Sequence, residues 1–155
     1  RGSAVVRRWN RRVHLRGLSG ESGQAMVEAA IAVPVLLLLV FGVVAIGRIT
    51  DAKVALQAAA REASRTLAVA PSEEQGMSDA LDAGLAAASG YGLAEERLTI
   101  DVDANGFVRG GEVSADVSYS VPLSDLPLLS FFEVEVSSSH TEQVELYRSR
   151  EAVAR

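Results

Sequence analysis

The sequence predicts an α+β fold in which a long N-terminal transmembrane helix continues into a small extracytoplasmic domain with a second helix and an antiparallel sheet of three to four strands. Three observations predict it. Ala25 to Gly47 is a run of 23 residues whose only charge is Glu28. From Ile49 to Ala88 apolar residues recur every three or four positions, a helical period, and beyond residue 96 they alternate, a strand period. The chain has 155 residues, room for one small domain beside a membrane segment.

Residues 1–23 form a basic leader. Arg1, Arg7, Arg8, Arg11, Arg12 and Arg16 stand against Glu21, a balance of +5, whereas the remainder holds 9 basic and 19 acidic residues, a balance of -10. Positive charge flanking a span marks its cytoplasmic side, so the N-terminus is expected in the cytoplasm and the acidic C-terminal part outside. A nucleic-acid-binding arm is the competing reading. The arginines abut an apolar run and have only Trp9 as an aromatic neighbour, so no nucleic acid is expected as a partner. No role is assigned to residues 1–16. Cysteine is absent, which excludes disulfides, thiolate metal sites and a lipidated cysteine.

Residues 24–47 read as the transmembrane helix. At 1.5 Å per residue the run reaches about 34 Å, against a hydrocarbon core of about 30 Å. A secretory signal peptide, cleaved near Ala45-Ile46-Gly47 to release a secreted protein, is the main rival. Its apolar core would exceed the usual length, and the helical pattern continues past Gly47. Pro34 removes one backbone donor and predicts a local kink, which membrane helices tolerate. Gly42 and Gly47 offer small surfaces to another helix, but five residues apart they miss the spacing of four in GxxxG.

Glu28 needs a reason, because a carboxylate near the edge of a span costs up to a few kcal/mol. The span itself offers no basic partner, and Arg48 lies about 30 Å along the helix. In one reading Glu28 snorkels into the headgroups. In the other, a cut between Gly23 and Gln24 makes glutamate the fifth residue of the mature chain and creates an α-amine whose reference pKa is near 8. That amine would neutralise Glu28 of a neighbouring subunit and set the register between them.

The segment "GQAMVEAAIAVPVLLLLVFGVVAIGR", followed by the alanine-rich "RITDAKVALQAAAREASRTLAV", resembles the N-terminus of the TadE-like family, pilin-like proteins of tight-adherence (Tad, or Flp) pilus systems. Its Gly-x4-Glu is similar to the processing signature of class III type IV prepilins. The resemblance covers roughly residues 20–70, a little under a third of the chain. Family members often carry Phe after the glutamate and an acidic residue near the end of the span, where this sequence has Ala29 and Ala45. The resemblance implies a pilin-like structural or assembly protein, a pseudopilin without enzymatic activity, cofactor or small-molecule substrate. Its implied partners are a prepilin peptidase cutting after Gly23, other pilin or pseudopilin subunits, Tad assembly proteins and membrane lipid. The implied location is the cytoplasmic (inner) membrane, in a single pass, in or at the base of a pilus. A different reading keeps the leader: an uncleaved signal-anchored protein whose outer domain binds a ligand or envelope component.

Residues 48–147 form the outer domain. Ile49, Ala52, Leu56, Ala60, Ala63 and Leu67 make one helical stripe, with Asp51, Lys53, Arg61, Glu62 and Arg65 mostly off it, which reads as a solvated face with ion pairs. Pro71-Ser72 interrupts the helix. Glu73 and Glu74 suit the start of a second one, in which Met77, Leu81, Leu85 and Ala88 form the expected apolar stripe before Gly90 and Gly92 end it. Strands are expected through Leu98, Ile100 and Val102, through Val113 to Val121, and through Phe132, Val134 and Val136. A fourth is expected through Val144 and Leu146. Asn105-Gly106 and Gly110-Gly111 belong to a looped antiparallel connection. "VPLSDLPLLSFF" is expected to be a connection packed on the sheet or against another subunit, and residues 148–155 a loose tail.

No catalytic site is expected. His14 lies in the leader, and His140 sits in "SSSHTE" with no group to orient it and no oxyanion site. Asp101, Asp103 and Asn105, followed by Gly106 and Glu112, have the spacing of a calcium loop, but Leu98, Ile100 and Val102 alternate into them as a strand, so a polar strand end is preferred and no metal is expected.

Overall fold

The computed structural model describes residues 19–145, with side chains from residue 23. The arginine leader, His14, Leu146 and the tail after it lie outside the described residues. Two compact units divide the chain between Leu37 and Leu38. In the first, the described residues are helical throughout, and every side chain from Gly23 to Leu37 is exposed.

The second unit contains the remainder of α1 (Ser19–Val69), then α2 (Glu73–Gly90), a 3₁₀ turn at Glu95–Arg97, β1 (Leu98–Asp103), β2 (Glu112–Pro122) and β3 (Glu133–Gln143). The helices end where local chemistry requires it. Pro71 disfavours helical backbone at Ala70, and Ser72 caps α2 by accepting from the Gln75 amide at 3.4 Å. Beyond Gly90, Gly92 takes φ +80 while its amide and those of Tyr91 and Leu93 close on Ala88 and Ser89 carbonyls.

Most of the predicted stripe on α1 is core: Ala52, Leu56, Ala60, Ala63 and Leu67 are buried, joined by Ala45, Ala55, Ala59, Ala68 and Ser64, while Ile49 is half-buried at its edge. Ser64 satisfies its hydroxyl on the Arg61 carbonyl at 3.1 Å. The stripe predicted for α2 is displaced. Its buried residues are Gly76, Ala80, Gly84 and Ala88, while Leu81 is exposed and Leu85 half-buried. The reason is close approach. A Cβ on Gly76 would lie 2.4 Å from the Ala70 Cβ and 2.9 Å from Leu67 Cδ1, and one on Gly84 would lie 3.3 Å from the Ala63 Cβ. Small residues let the helix backbones touch, so the contact face is not the bulkiest one.

The sheet has order β1-β2-β3, antiparallel throughout, with Ile100 opposite Val117 and Tyr119 opposite Val136. Alternate residues of β2, from Val113 to Val121, are buried against the helices. The β1–β2 turn places Asn105, Gly106 and Phe107 at positive φ, and the Asn105 amide donates to Asp103 Oδ1 at 2.8 Å. Asp103 is thus occupied as a turn-forming acceptor.

Two strand expectations change. Phe132 precedes β3 and is exposed, since the strand starts at Glu133. Val144 belongs to no fourth strand among the described residues. It prolongs β3, donating to the Gly111 carbonyl at 2.8 Å and accepting from Gly110 at 3.1 Å. The polar run Ser137 to Gln143 hides this continuity, because backbone pairing with β2 carries the strand through residues without apolar alternation.

Candidate functional site

The N-terminal segment of α1 brings together the features that the sequence singled out. Gly23 and Gln24 lie within α1, a turn after its first described residue, Ser19, and Glu28 follows a little over one turn later. Glu28 is exposed, and no ion pair to it exists among the described residues. The helix runs through Pro34, which has no amide hydrogen, so the Ala30 carbonyl lacks its usual helical donor.

Around these residues the surface is apolar on every side. Met26, Val27, Ile31, Val33, Val35, Leu36 and Leu37 are all exposed in the first unit, as are Leu38, Leu39, Val40, Val43, Val44 and Ile46 in the second. From Gly23 to Val40 no protein lies over the helix, and a helix segment apolar all round in this way belongs in lipid or against other helices. This one is long and apolar enough to cross a membrane.

Where the apolar run ends, Arg48 makes contacts that the sequence did not disclose. Its Nη1 and Nη2 donate to Asp125 Oδ1 and Oδ2 at 2.6 and 2.7 Å, and Nη1 also donates to the Pro122 carbonyl at 3.2 Å. These hydrogen bonds hold the Asp125 carboxyl below its ordinary range, and the same bonds raise the Arg48 guanidinium. The pair fastens the β2–β3 connection to the end of the span. One signal pointed to it: Asp125 is the sole charge between Leu123 and Phe132.

His140 Nε2 lies 3.2 Å from Glu142 Oε1, both half-buried on the helix-facing side of β3. Ser137 and Ser139 occupy the opposite side, and Ser138, on the same side as His140, makes no hydrogen bond to it. Asp101 and Asp103 are exposed on the outer sheet face. No group of three metal-ligating side chains occurs among the described residues.

No curated protein and no solved structure gives a match to the chain. Residues 23–65, within the helix that carries Gly23, Glu28, Pro34 and Arg48, match the family model described as TadE-like protein.

Proposed function

We propose that this is a single-pass inner-membrane protein of a Tad/Flp-type pilus system, a pseudopilin that serves as a structural or assembly subunit. A prepilin peptidase removes the arginine leader after Gly23 on the cytoplasmic side. The new Gln24 amine of one subunit then meets Glu28 of its neighbour as their helices pack laterally. Pro34 bends the packed helix.

The observation that carries the reading is Glu28 itself: an acidic side chain without a partner among the described residues, on an otherwise apolar exposed helix, five positions after a glycine. A group left unpaired in its own chain calls for a partner in another. Gly23 helps the cut, because glycine in a helix costs about 1 kcal/mol relative to alanine and makes its own turn easier to open for a protease. The match of residues 23–65 to the TadE-like family supports the pilus assignment.

Glu28→Gln tests this function. Filament assembly is expected to fail while membrane insertion persists. An uncleaved anchor with a ligand-binding outer domain would be unaffected, and normal assembly of the variant would refute the register role.

A further inference from the structure

We infer that the β2–β3 connection, residues 123–132, is a membrane-interface foot whose Leu128, Phe131 and Phe132 side chains enter the outer headgroup region of the bilayer. The inference rests on the membrane reading above and adds a second lipid-contacting element to it.

Leu128, Phe131 and Phe132 are 47%, 76% and 55% exposed, and the two rings lie 4.7 Å apart. Leu128 has φ +70, a backbone conformation disfavoured for a leucine, so its outward position is held by the surrounding turn. In water such a cluster is unfavourable.

Position along the helix decides what covers it. Arg48, directly after the apolar run, holds this connection through Asp125 and Pro122. Leu123 and Leu126 share a core with Ala45, against which Leu129 and Phe41 also pack. Phe41 is about 10 Å below Arg48 along the helix axis. The connection therefore sits at the level where the lipid-facing surface ends, beside exposed Val43, Val44 and Ile46. Its one charge, Asp125, is matched by Arg48, which leaves no unpaired charge between Leu123 and Phe132. Arg97 and Glu133, of opposite charge, line the same cleft as Phe131 and Phe132, at the polar edge of the cluster. A segment fixed at this depth by its own helix meets lipid in each membrane-inserted subunit before any helices pack, which favours lipid over a second copy of the chain.

The test uses the full chain with Trp9→Phe, which removes its one tryptophan, and Phe131→Trp as reporter. A companion chain carries Val40→Trp in the span. Both are reconstituted in phosphatidylcholine and phosphatidylglycerol vesicles, with and without bromine near the top of the acyl chains. Bromine is expected to quench the F131W chain at every protein-to-lipid ratio. An unquenched F131W chain beside a quenched V40W chain overturns the foot and leaves the span intact. So does an emission shift in F131W that follows protein density and ignores bromine, which would mean that a second copy covers the cluster. If V40W is also unquenched, the membrane reading itself fails.

Discussion

Arg48 and Asp125, 77 positions apart, meet through two parallel hydrogen bonds of 2.6 and 2.7 Å, one from each terminal guanidinium nitrogen. The first residue follows the apolar run, and the second lies in the turn after β2. Their pairing connects the membrane-facing and sheet-forming parts of the second unit through a fork that lysine cannot reproduce.

Because the pair lowers the Asp125 pKa, its stabilising effect is present above the ordinary carboxyl range and fades as pH falls through the depressed folded value. Arg48, raised further above its ordinary value, stays charged throughout. Melting of the detergent-solubilised protein between pH 7 and pH 3 should therefore show wild type above Asp125→Asn at neutral pH, with the gap closing below about pH 4. Arg48→Lys should melt between the two. A gap independent of pH would contradict the pairing.

Gly76→Ala should destabilise the outer domain. Helix propensity favours alanine by about 1 kcal/mol, but the new methyl would sit 2.4 Å from the Ala70 Cβ, and overpacking of that kind costs about 1–3 kcal/mol. Denaturant unfolding should give a net loss, whereas a gain would show that α2 shifts away freely.

Leu56→Ala should cost about 2–5 kcal/mol, since Leu56 is fully buried among α1 alanines and the β2 side chains. The same unfolding experiment measures it. A loss well under 1 kcal/mol would mean that the helix does not pack on the sheet as described.

Asp101 and Asp116 are cross-strand partners on the exposed face, two like charges directly opposite each other. Asp116→Lys should stabilise the domain by about 0.2–1 kcal/mol, less as salt rises. Unfolding at low and high ionic strength checks both the sign and the screening.

The parts legible in the sequence are those in which one chemical signal dominates. On α1, Leu56 and Leu67 mark a stripe whose period survives among alanines, and from Ala52 to Leu67 it is buried in the core. On α2 bulk pointed to Met77, Leu81 and Leu85, but backbone proximity decides, and Gly76 and Gly84 are the residues that allow it. Val144 read as a separate strand because seven polar residues precede it, although hydrogen bonding to Gly110 and Gly111 makes it the end of β3. Asp125 could not be paired with Arg48 from the sequence, because the contact depends on the β2 register and the turn that follows. Glu28 stands out by its chemistry alone, the one charge in an apolar run, and its role in subunit register is a proposal.

The most direct test of the central claim is the mass of the N-terminal peptide of the membrane-extracted protein, from cells that contain an active prepilin peptidase. The proposal predicts Gln24 as the first residue, five positions from Glu28 when counted inclusively. A chain that keeps Arg16 and the residues before Gly23, and assembles normally, would contradict it.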